Sequence, residues 1–182
     1  MNKFFSHLKT VCKHRYYVFR ECASCGIIWQ GLIHDLSKFS AEEFLSSVKY
    51  YQGDRSPIDA EKEAIGYSKA WLHHKGRNKH HWEYWTDFNA KTGEVIANNI
   101  PKKYCIEMIC DWIGAGKAYM GDAWTEYAPL EHFERVRSGR HFHPETEELL
   151  SNLLKIIHIN GLDAFHSVCK TILEGEKKNG NT

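Results

Sequence analysis

Apolar residues recur at helical spacing along most of the chain, and this periodicity constrains the fold more than any other feature of the sequence. Between residues 4 and 25 the apolar positions follow one another at steps of three or four residues, which places them on one face of a helix. Gly26 comes next and is the residue type that commonly ends a helix. The positions of this stripe are His7, Val11, His14, Val18, Cys22 and Cys25.

Capping signals predict a succession of further helices. Ser40 and Glu43 have capping-box spacing, and Ser56 followed by Pro57 suits the first positions of a helix. Gly161 interrupts the last apolar segment and divides it in two. The expected helices are 4–25, 27–39, 40–51, 57–74, 101–119, 129–136, 144–160 and 162–174.

The fold class that follows is all-α, a compact globule of about six to eight short and unequal helices. Residues 86–99 are irregular, with a turn near Thr92 and Gly93, and predict a short hairpin or a lid. The chain has only four Pro, no internal repeat and no linker-like segment. We therefore expect a single domain over residues 1–175 and a polar, frayed tail over residues 176–182.

Composition narrows the class of protein. The chain has 182 residues, of which 42% are hydrophobic and 13% aromatic, so disorder as the main state is excluded. A formal charge of +1 argues against nucleic-acid binding through bulk charge. No apolar run reaches the roughly 18 residues of a membrane span, and residues 1–10 lack a secretory signal. We expect a cytoplasmic protein without membrane contact, whose six Cys are reduced thiols.

Ionisable residues inside apolar helical runs point to a bound cation. His34 and Asp35 stand within the apolar run 31–36, and Asp111 stands within the run 108–113. An ionised carboxylate in a buried helix is costly unless it is paired or bound to a metal, so these two aspartates favour a cation between them. Imidazole with carboxylate is the ligand set of Zn, Mn and Fe sites. Four further imidazoles crowd into one short segment, as His73, His74, His80 and His81.

The order of these residues resembles the H…HD…D pattern of the HD superfamily of metal-dependent phosphohydrolases. Residues 34–39 look like the HD-x-x-K variant found in several of its branches. Residues 74–81 look like an added histidine motif of an uncharacterised branch of small bacterial and phage proteins. The resemblance spans residues 5–119 and implies an HD-domain-like helical globule. The matching residues are His14, His34, Asp35, Lys38, His74, Asn78, His80, His81 and Asp111.

The resemblance implies a site for one or two divalent ions, which could be Mn, Fe, Ni, Co, Zn or Mg. Asp35 would bridge the two ions and, with Lys38, would be a catalytic residue, while a metal-activated water serves as the nucleophile. Each ligating His needs an acceptor for its other ring N–H, and Asn78 and Glu83 are candidates. The first ion would be held by His14, His34, Asp35 and Asp111, and the second by Asp35, His74 and either His80 or His81.

The substrate implied by the resemblance is a nucleotide or another small phosphate ester. In a continuous helix Lys38 would share a face with His34 and Asp35, where its ammonium could hold a phosphate. Arg77 and Lys79 in the histidine segment are further candidates for substrate binding, or else belong to a solvated loop.

Two other functions are compatible with the same residues. The first is an HD-type mixed-valent di-iron oxygenase that oxidises C–H or C–P bonds with O₂. The second is a non-catalytic protein that binds a nucleotide or a partner through an inherited ligand cage.

Three remaining features carry weaker expectations. Cys22-x-x-Cys25 lies on the helix stripe and predicts packing rather than a zinc site. Arg135, Arg137 and Arg140 predict a surface run that could contact a phosphate or a partner. The apolar face near the carboxyl terminus either completes the core or forms a homodimer interface, and its residues are Leu149, Leu150, Leu153, Leu154, Ile156 and Ile157.

Overall fold

A computed structural model describes residues 2–179, which contain eight α-helices and one two-stranded antiparallel hairpin. The predicted all-α class is confirmed, and of the two structures expected for residues 86–99 the hairpin is the one that forms. Its strands are β1 (Thr86–Phe88) and β2 (Val95–Ala97). The helices are α1 (Lys3–Ser24), α2 (Ile28–Ile33), α3 (Ala41–Tyr50), α4 (Pro57–Ile65), α5 (Lys69–Lys75), α6 (Lys102–Met120), α7 (Ala128–Val136) and α8 (Pro144–Asn179).

Helices α1 and α6 cross at the centre of the molecule, and α7 and α8 close the core around them. The two central helices approach closely because Gly114 of α6 has no side chain, and a Cβ built there would lie 2.4 Å from Val18 Cγ2 of α1. The apolar face of α8 belongs to this core or packs against it, so it completes the core as one of the two alternatives expected.

The cysteines of the C-x-x-C segment pack in this core, as predicted. Cys22 and Cys25 are fully buried, and Cys25 Sγ lies 4.0 Å from Cys110 Sγ of α6. All six cysteines carry free thiols. At the end of α1, Gly26 adopts a φ of +87°, and the Ile27 N–H donates to the Cys22 carbonyl at 2.9 Å. These features form the Schellman motif that the position of Gly26 predicted.

The single helix predicted over residues 27–39 is wrong. Helix α2 ends at Ile33, and Asp35 adopts the left-handed conformation with a φ of +53°. A 3₁₀ turn, Leu36–Phe39, follows. Aspartate tolerates this backbone better than most residues because its short polar side chain relieves the steric cost. Arg15 of α1 supports the break, since its guanidinium donates to the carbonyls of Leu32 and His34, each at 2.8 Å.

The helix predicted over residues 57–74 is likewise two helices. Gly66 ends α4 with a φ of +83°, and its N–H donates to the Lys62 carbonyl at 2.8 Å. Ser68 then caps α5 by accepting the Trp71 N–H at 3.0 Å. This turn changes the direction of the chain before the histidine segment, so that α5 packs against α3.

The last helix is broken at Gly161, as predicted, where φ is +83°. Glu126 accepts the N–H of Leu162 at 3.2 Å and so provides a hydrogen-bond partner for a backbone N–H at the start of the second helical segment. The helix then continues to Asn179, four residues into the segment predicted to be a frayed tail. None of the helices within residues 2–179 has the length and apolar character that a membrane crossing requires.

Candidate metal centre

A cavity of about 670 Å³ opens between α1, α5, α6 and α7, and buried histidines and carboxylates lie in its wall. The histidines come from three separate parts of the chain. The break between helix α2 and the following 3₁₀ turn directs the Asp35 carboxylate toward all of them. Residues of the predicted metal site that line the cavity are His14, His74, His80, His81 and Asp111.

The first cluster gathers His14, His34, Asp35 and Asp111. His14 Nε2 lies 3.2 Å from Asp111 Oδ1 and 3.4 Å from Asp35 Oδ2. His34 Nε2 lies 3.2 Å from the same Asp35 oxygen and 3.3 Å from Asp111 Oδ1. The crossing of α1 and α6 brings His14 beside Asp111, because each lies about one turn from the close contact at Gly114. These are the four residues predicted for the first ion.

The second cluster gathers Asp35, His74, His80 and His81. Asp35 contributes its other carboxylate oxygen to this cluster. Its Oδ1 lies 3.2 Å from His74 Nε2 and 3.5 Å from His80 Nε2. Asp35 therefore stands between the two clusters and presents one carboxylate oxygen to each. Of the alternatives His80 and His81, both lie in the cluster.

The donor atoms of the two clusters fit divalent metal ions. Neighbouring donor atoms lie 3.2–3.5 Å apart. Ligand bonds of about 2.0–2.2 Å would separate two ligands of one ion by about 3.0–3.5 Å. Buried polar atoms normally have hydrogen-bond partners, yet several of these have none, namely His14 Nε2, His34 Nε2, His80 Nε2, His81 Nε2 and Asp35 Oδ1. These groups could hold a metal ion.

Glu107 of α6 orients one histidine from each cluster, and the sequence analysis missed it. Its Oε1 accepts from His34 Nδ1 at 3.0 Å and from His80 Nδ1 at 3.2 Å. A proton on Nδ1 leaves the lone pair on Nε2, so this carboxylate selects the tautomer in which Nε2 of both rings can bind a metal. Glu107 lies one helical turn before Asp111, and that spacing was the available signal.

Glu43 orients the two histidines of α5, and the sequence analysis did not predict this role either. Its two oxygens contact His73 Nδ1 at 2.5 Å and His74 Nδ1 at 2.8 Å. Ser40 caps α3 by accepting the N–H of Glu43, as predicted, but the Glu43 carboxylate is used for the histidines instead of closing the capping box. His73 is thereby held outside both metal-ligand clusters.

Asn78 and Glu83 were predicted to accept histidine N–H groups, and neither does so, because the acceptor at His74 Nδ1 is Glu43. The Asn78 side-chain amide lies 3.1 Å from His74 Nδ1, and it donates to the His74 carbonyl at 2.8 Å. Within residues 2–179 the Glu83 carboxylate forms no hydrogen bond to a histidine, and its Oε2 is buried without a partner.

The charges of the clusters shift the pKa values of their members. Burial alone would raise the pKa of Asp35, but His34, Lys38 and His74 outweigh it and hold that pKa well below its usual range. Burial lowers the pKa of His81 well below its usual range, and the neighbouring His80 and His74 lower it further. His81 is therefore a neutral imidazole at neutral pH, which is the form that binds metals.

Lys38 reaches the site by a different geometry from the one predicted. It lies on the 3₁₀ turn after Asp35 rather than on a continuous helix, and the Lys38 N–H donates to the Asp35 carbonyl at 3.0 Å. Its Nζ lies 2.5 Å from Asp35 Oδ2 and faces the cavity. The ammonium thus lies beside the shared carboxylate, where a bound anion could reach it.

Arg77 and Lys79 do not line the cavity. The chain turns outward after α5, and both side chains are exposed. Arg77 donates to the His73 carbonyl at 3.1 Å, while Lys79 Nζ lies 5.7 Å from the centre of the Tyr84 ring. The structure therefore does not bring the two basic residues predicted for substrate binding together with Lys38.

The fold and the site define a mostly α-helical protein with two adjoining clusters of potential metal ligands that share Asp35, and a third group in which Glu107 joins His34 and His80. A model of the family of unknown function DUF5662 matches residues 3–156, and the chain belongs to that family. The match covers every residue of both clusters. Comparison with curated proteins and with solved structures gave no match.

Proposed function

We propose that this protein is a metal-dependent phosphohydrolase of the HD type that acts on a nucleotide or another small phosphate ester. The observation that carries the proposal is the arrangement around Asp35, whose two oxygens face two separate clusters of histidines and carboxylates. This is the ligand order that the resemblance to the HD superfamily implies. The cavity volume of about 670 Å³ suits a nucleotide-sized ligand.

The chain's own residues would divide the work as follows. Asp35 would hold both ions in register, and His14, His34 and Asp111 would complete the first site, with His74, His80 and His81 completing the second. Divalent ions in such sites supply Lewis-acid activation of a phosphate ester and of water.

Lys38 would hold a phosphate oxygen at the cavity wall, because its ammonium already lies against the shared carboxylate. Its burial alone would lower its pKa, but Asp35 and Asp111 outweigh burial and raise the pKa, so the side chain stays charged.

The test begins with the metal content of the purified protein, followed by removal of metal with a chelator and reloading with Mn, Fe, Co, Ni, Zn or Mg. Loaded protein is then assayed with phosphomonoesters, cyclic nucleotides and dinucleoside polyphosphates. The Asp35→Asn variant keeps a side chain that tolerates the left-handed backbone but removes the charge. We expect it to lose bound metal and to reduce turnover by about 100-fold or more.

The matched control is Asp163→Asn, the same substitution at an exposed position of α8, which should change neither metal content nor turnover. The proposal fails if no ester is hydrolysed with any of the ions, or if Asp35→Asn retains wild-type turnover. Binding of a nucleotide without turnover would favour the non-catalytic alternative.

One observation favours the di-iron oxygenase as the second candidate. Five imidazoles and two carboxylates make up the two clusters, and a set of imidazole and carboxylate donors with open positions is one in which iron can react with O₂. Protein loaded with Fe would then consume O₂ when a substrate is added and would show an iron-dependent optical or paramagnetic signal. Hydrolysis of esters by protein loaded with Mg or Mn under anaerobic conditions would contradict this candidate.

A further inference from the structure

A second group of basic side chains lines the same cavity, away from the metal-ligand clusters. Arg135 and His132 lie on α7, and Arg140 follows the 3₁₀ turn Arg137–Gly139. Trp112 connects this group to the candidate metal centre, since it directly follows Asp111 and its ring lies 5.3 Å from the His132 ring.

The two guanidinium groups flank a single imidazole. Arg135 Nη2 lies 3.2 Å from His132 Nδ1, and Arg140 Nη2 lies 3.4 Å from His132 Nε2. A neutral imidazole has one donor and one acceptor nitrogen, so His132 can accept a hydrogen bond from only one of the two arginines. The other guanidinium is left facing an N–H group. The group formed by His132, Arg135 and Arg140 therefore holds more hydrogen-bond donors than acceptors.

The positive charge of this group is not neutralised by a close carboxylate. Among residues 2–179, the arginine ion pair is that of Arg55 with Glu63, which lies elsewhere. The carboxylates whose charge acts on Arg140 are Glu83 and Asp111, and neither forms an ion pair with it. Burial, with help from the two arginines, lowers the pKa of His132 to about 4, so this ring is neutral at pH 7.

The position of Arg140 is fixed by packing rather than by an ion pair. Its guanidinium carbon lies 5.5 Å from the centre of the Trp112 ring, and the side chain is half-buried. An arginine held over an aromatic ring keeps its hydrogen-bonding edge available to a planar or tetrahedral oxyanion. The fixed guanidinium and the excess of donors both call for anionic oxygen atoms at this part of the wall.

We propose that Arg135, His132 and Arg140 form a second anion subsite, which binds a phosphate or carboxylate group of the ligand other than the group that meets Lys38. The substrate would then be a phosphate ester that carries a second anionic group. This inference deepens the proposed function and rests on it for the identity of the reacting group, whereas the binding of the anion itself does not depend on catalysis.

The binding test uses metal-stripped protein, inorganic pyrophosphate and isothermal titration calorimetry. Arg140→Gln and Arg135→Gln each remove one guanidinium, and we expect the dissociation constant for pyrophosphate to rise by about tenfold or more in each. Arg137→Gln is the matched control, because Arg137 lies between them in the sequence and is exposed as Arg135 is, but it does not line the cavity. It should leave the dissociation constant unchanged.

Arg140 also packs against Trp112, so Arg140→Lys is added to separate charge from packing. It keeps the charge and should bind pyrophosphate more tightly than Arg140→Gln. The proposal is overturned if Arg135→Gln and Arg140→Gln bind as wild type does, or if Arg137→Gln weakens binding equally, which would indicate a general charge effect.

A kinetic test with metal-loaded protein separates the subsite from the proposed function. Two esters are compared, p-nitrophenyl phosphate and an ester with a second phosphate at its far end. Wild type should have a lower KM for the ester with two phosphates than for p-nitrophenyl phosphate. Arg140→Gln should reduce the difference between the two KM values, whereas Arg137→Gln should leave it unchanged. If neither ester is hydrolysed, the proposed function fails while the pyrophosphate result still decides the subsite. If Arg140→Gln raises both KM values equally, the subsite is overturned.

Discussion

Glu107 contacts the Nδ1 atoms of His34 and His80, which belong to different clusters. Burial would raise its pKa, but hydrogen bonds from these two histidines and their charges hold that pKa at about 2, so the carboxylate is ionised at any working pH. A single anionic side chain thus fixes the orientation of one ring in each cluster. Its influence on metal binding should exceed that of an isolated hydrogen bond.

The first prediction concerns Glu107→Gln, which keeps the shape of the side chain and removes its charge. We expect metal affinity to fall by about 10- to 100-fold, as for other carboxylates that support ligating histidines. The measurement is a competition titration against a chromophoric chelator. Glu134→Gln, on an exposed position of α7, is the control. Equal affinity in wild type and Glu107→Gln would show that the histidines are oriented by other contacts.

The second prediction concerns the left-handed backbone at Asp35. Asp35→Gly and Asp35→Ala both remove the carboxylate, but only glycine adopts a φ of +53° without strain. Alanine is therefore expected to be the less stable variant by ~1 kcal/mol, measured by urea unfolding in the presence of a chelator. At an ordinary position the order would be reversed, so an alanine variant at least as stable as the glycine variant would refute the strain.

At the scale of elements, the position of His14 relative to Asp111 depends on how closely α1 and α6 approach. Gly114 allows that approach, because its backbone lies against Val18 and a Cβ would come within 3.0 Å of the Val18 nitrogen. Backbone atoms cannot yield as the end of a flexible side chain can. A side chain at residue 114 would push the helices apart and separate the two halves of the first cluster.

The third prediction follows from that contact. Gly114→Ala should lower the free energy of unfolding by about 1–3 kcal/mol and should weaken metal binding at the same time. Gly175→Ala is the control. Gly175 lies within α8 with open space around it, so alanine should stabilise that helix by about 0.5–1 kcal/mol. The proposed coupling would be contradicted if Gly114→Ala lost stability while metal affinity stayed at the wild-type value.

Most of the helices were predictable from the sequence. The two wrong predictions each treated two separate elements as one continuous helix. The stripe of α1, the cap at Ser40 and the break at Gly161 are local signals, and each appears in the structure. The predicted helices over residues 27–39 and 57–74 were divided by backbone turns at Asp35 and Gly66. The first turn is stabilised by Arg15 from another helix, so no local pattern could have revealed it.

At the scale of the whole molecule, one buried carboxylate ties three helices together. Glu21 of α1 accepts from Lys117 Nζ of α6 at 2.6 Å and from His166 Nε2 of α8 at 2.9 Å. Burial alone would raise the pKa of Glu21, but these two bonds lower it, so the group is ionised above mildly acidic pH. The ionised Glu21 carboxylate therefore adds a polar link between α8 and the other two helices to the apolar packing of α8 in the core.

The fourth prediction is a pH dependence of stability. Burial alone would lower the pKa of His166, but its hydrogen bond to Glu21 raises it above 6.5 in the folded state. A raised pKa contributes stability that is complete below the unfolded value and is lost as pH rises through the folded value. His166→Gln should therefore destabilise the protein by ~1 kcal/mol at about pH 5.5 and by less at about pH 9.

Urea unfolding of wild type and His166→Gln at the two pH values measures this difference. Because both proteins contain the same site histidines, the titration of those groups cancels in the comparison. His158→Gln on the same helix is the control, since His158 is exposed and packs against the Tyr127 ring rather than a carboxylate. A difference that is independent of pH would mean that His166 acts as a neutral residue.

The residues of the candidate site were largely predictable, but their supports were not. Charged side chains within apolar runs stand out in a sequence, and His34, Asp35 and Asp111 were found in that way, whereas His14 was proposed from the resemblance. Glu43 and Glu107 occur in helices among many other glutamates, so only the folded chain distinguishes them. Arg77 and Lys79 are close to the histidines in sequence but do not line the cavity, because nearness in sequence does not fix the direction of a side chain.

The unusual backbone at Asp35 limits how this position can change in related chains. Asp, Asn and Gly are the residues that accept such a conformation readily, and of these Asp alone supplies a negative charge. A related protein that has lost the proposed metal site but kept the fold would therefore be expected to carry Asn or Gly at this position. The residue at this position would therefore separate family members that have lost the proposed metal site from those that retain it.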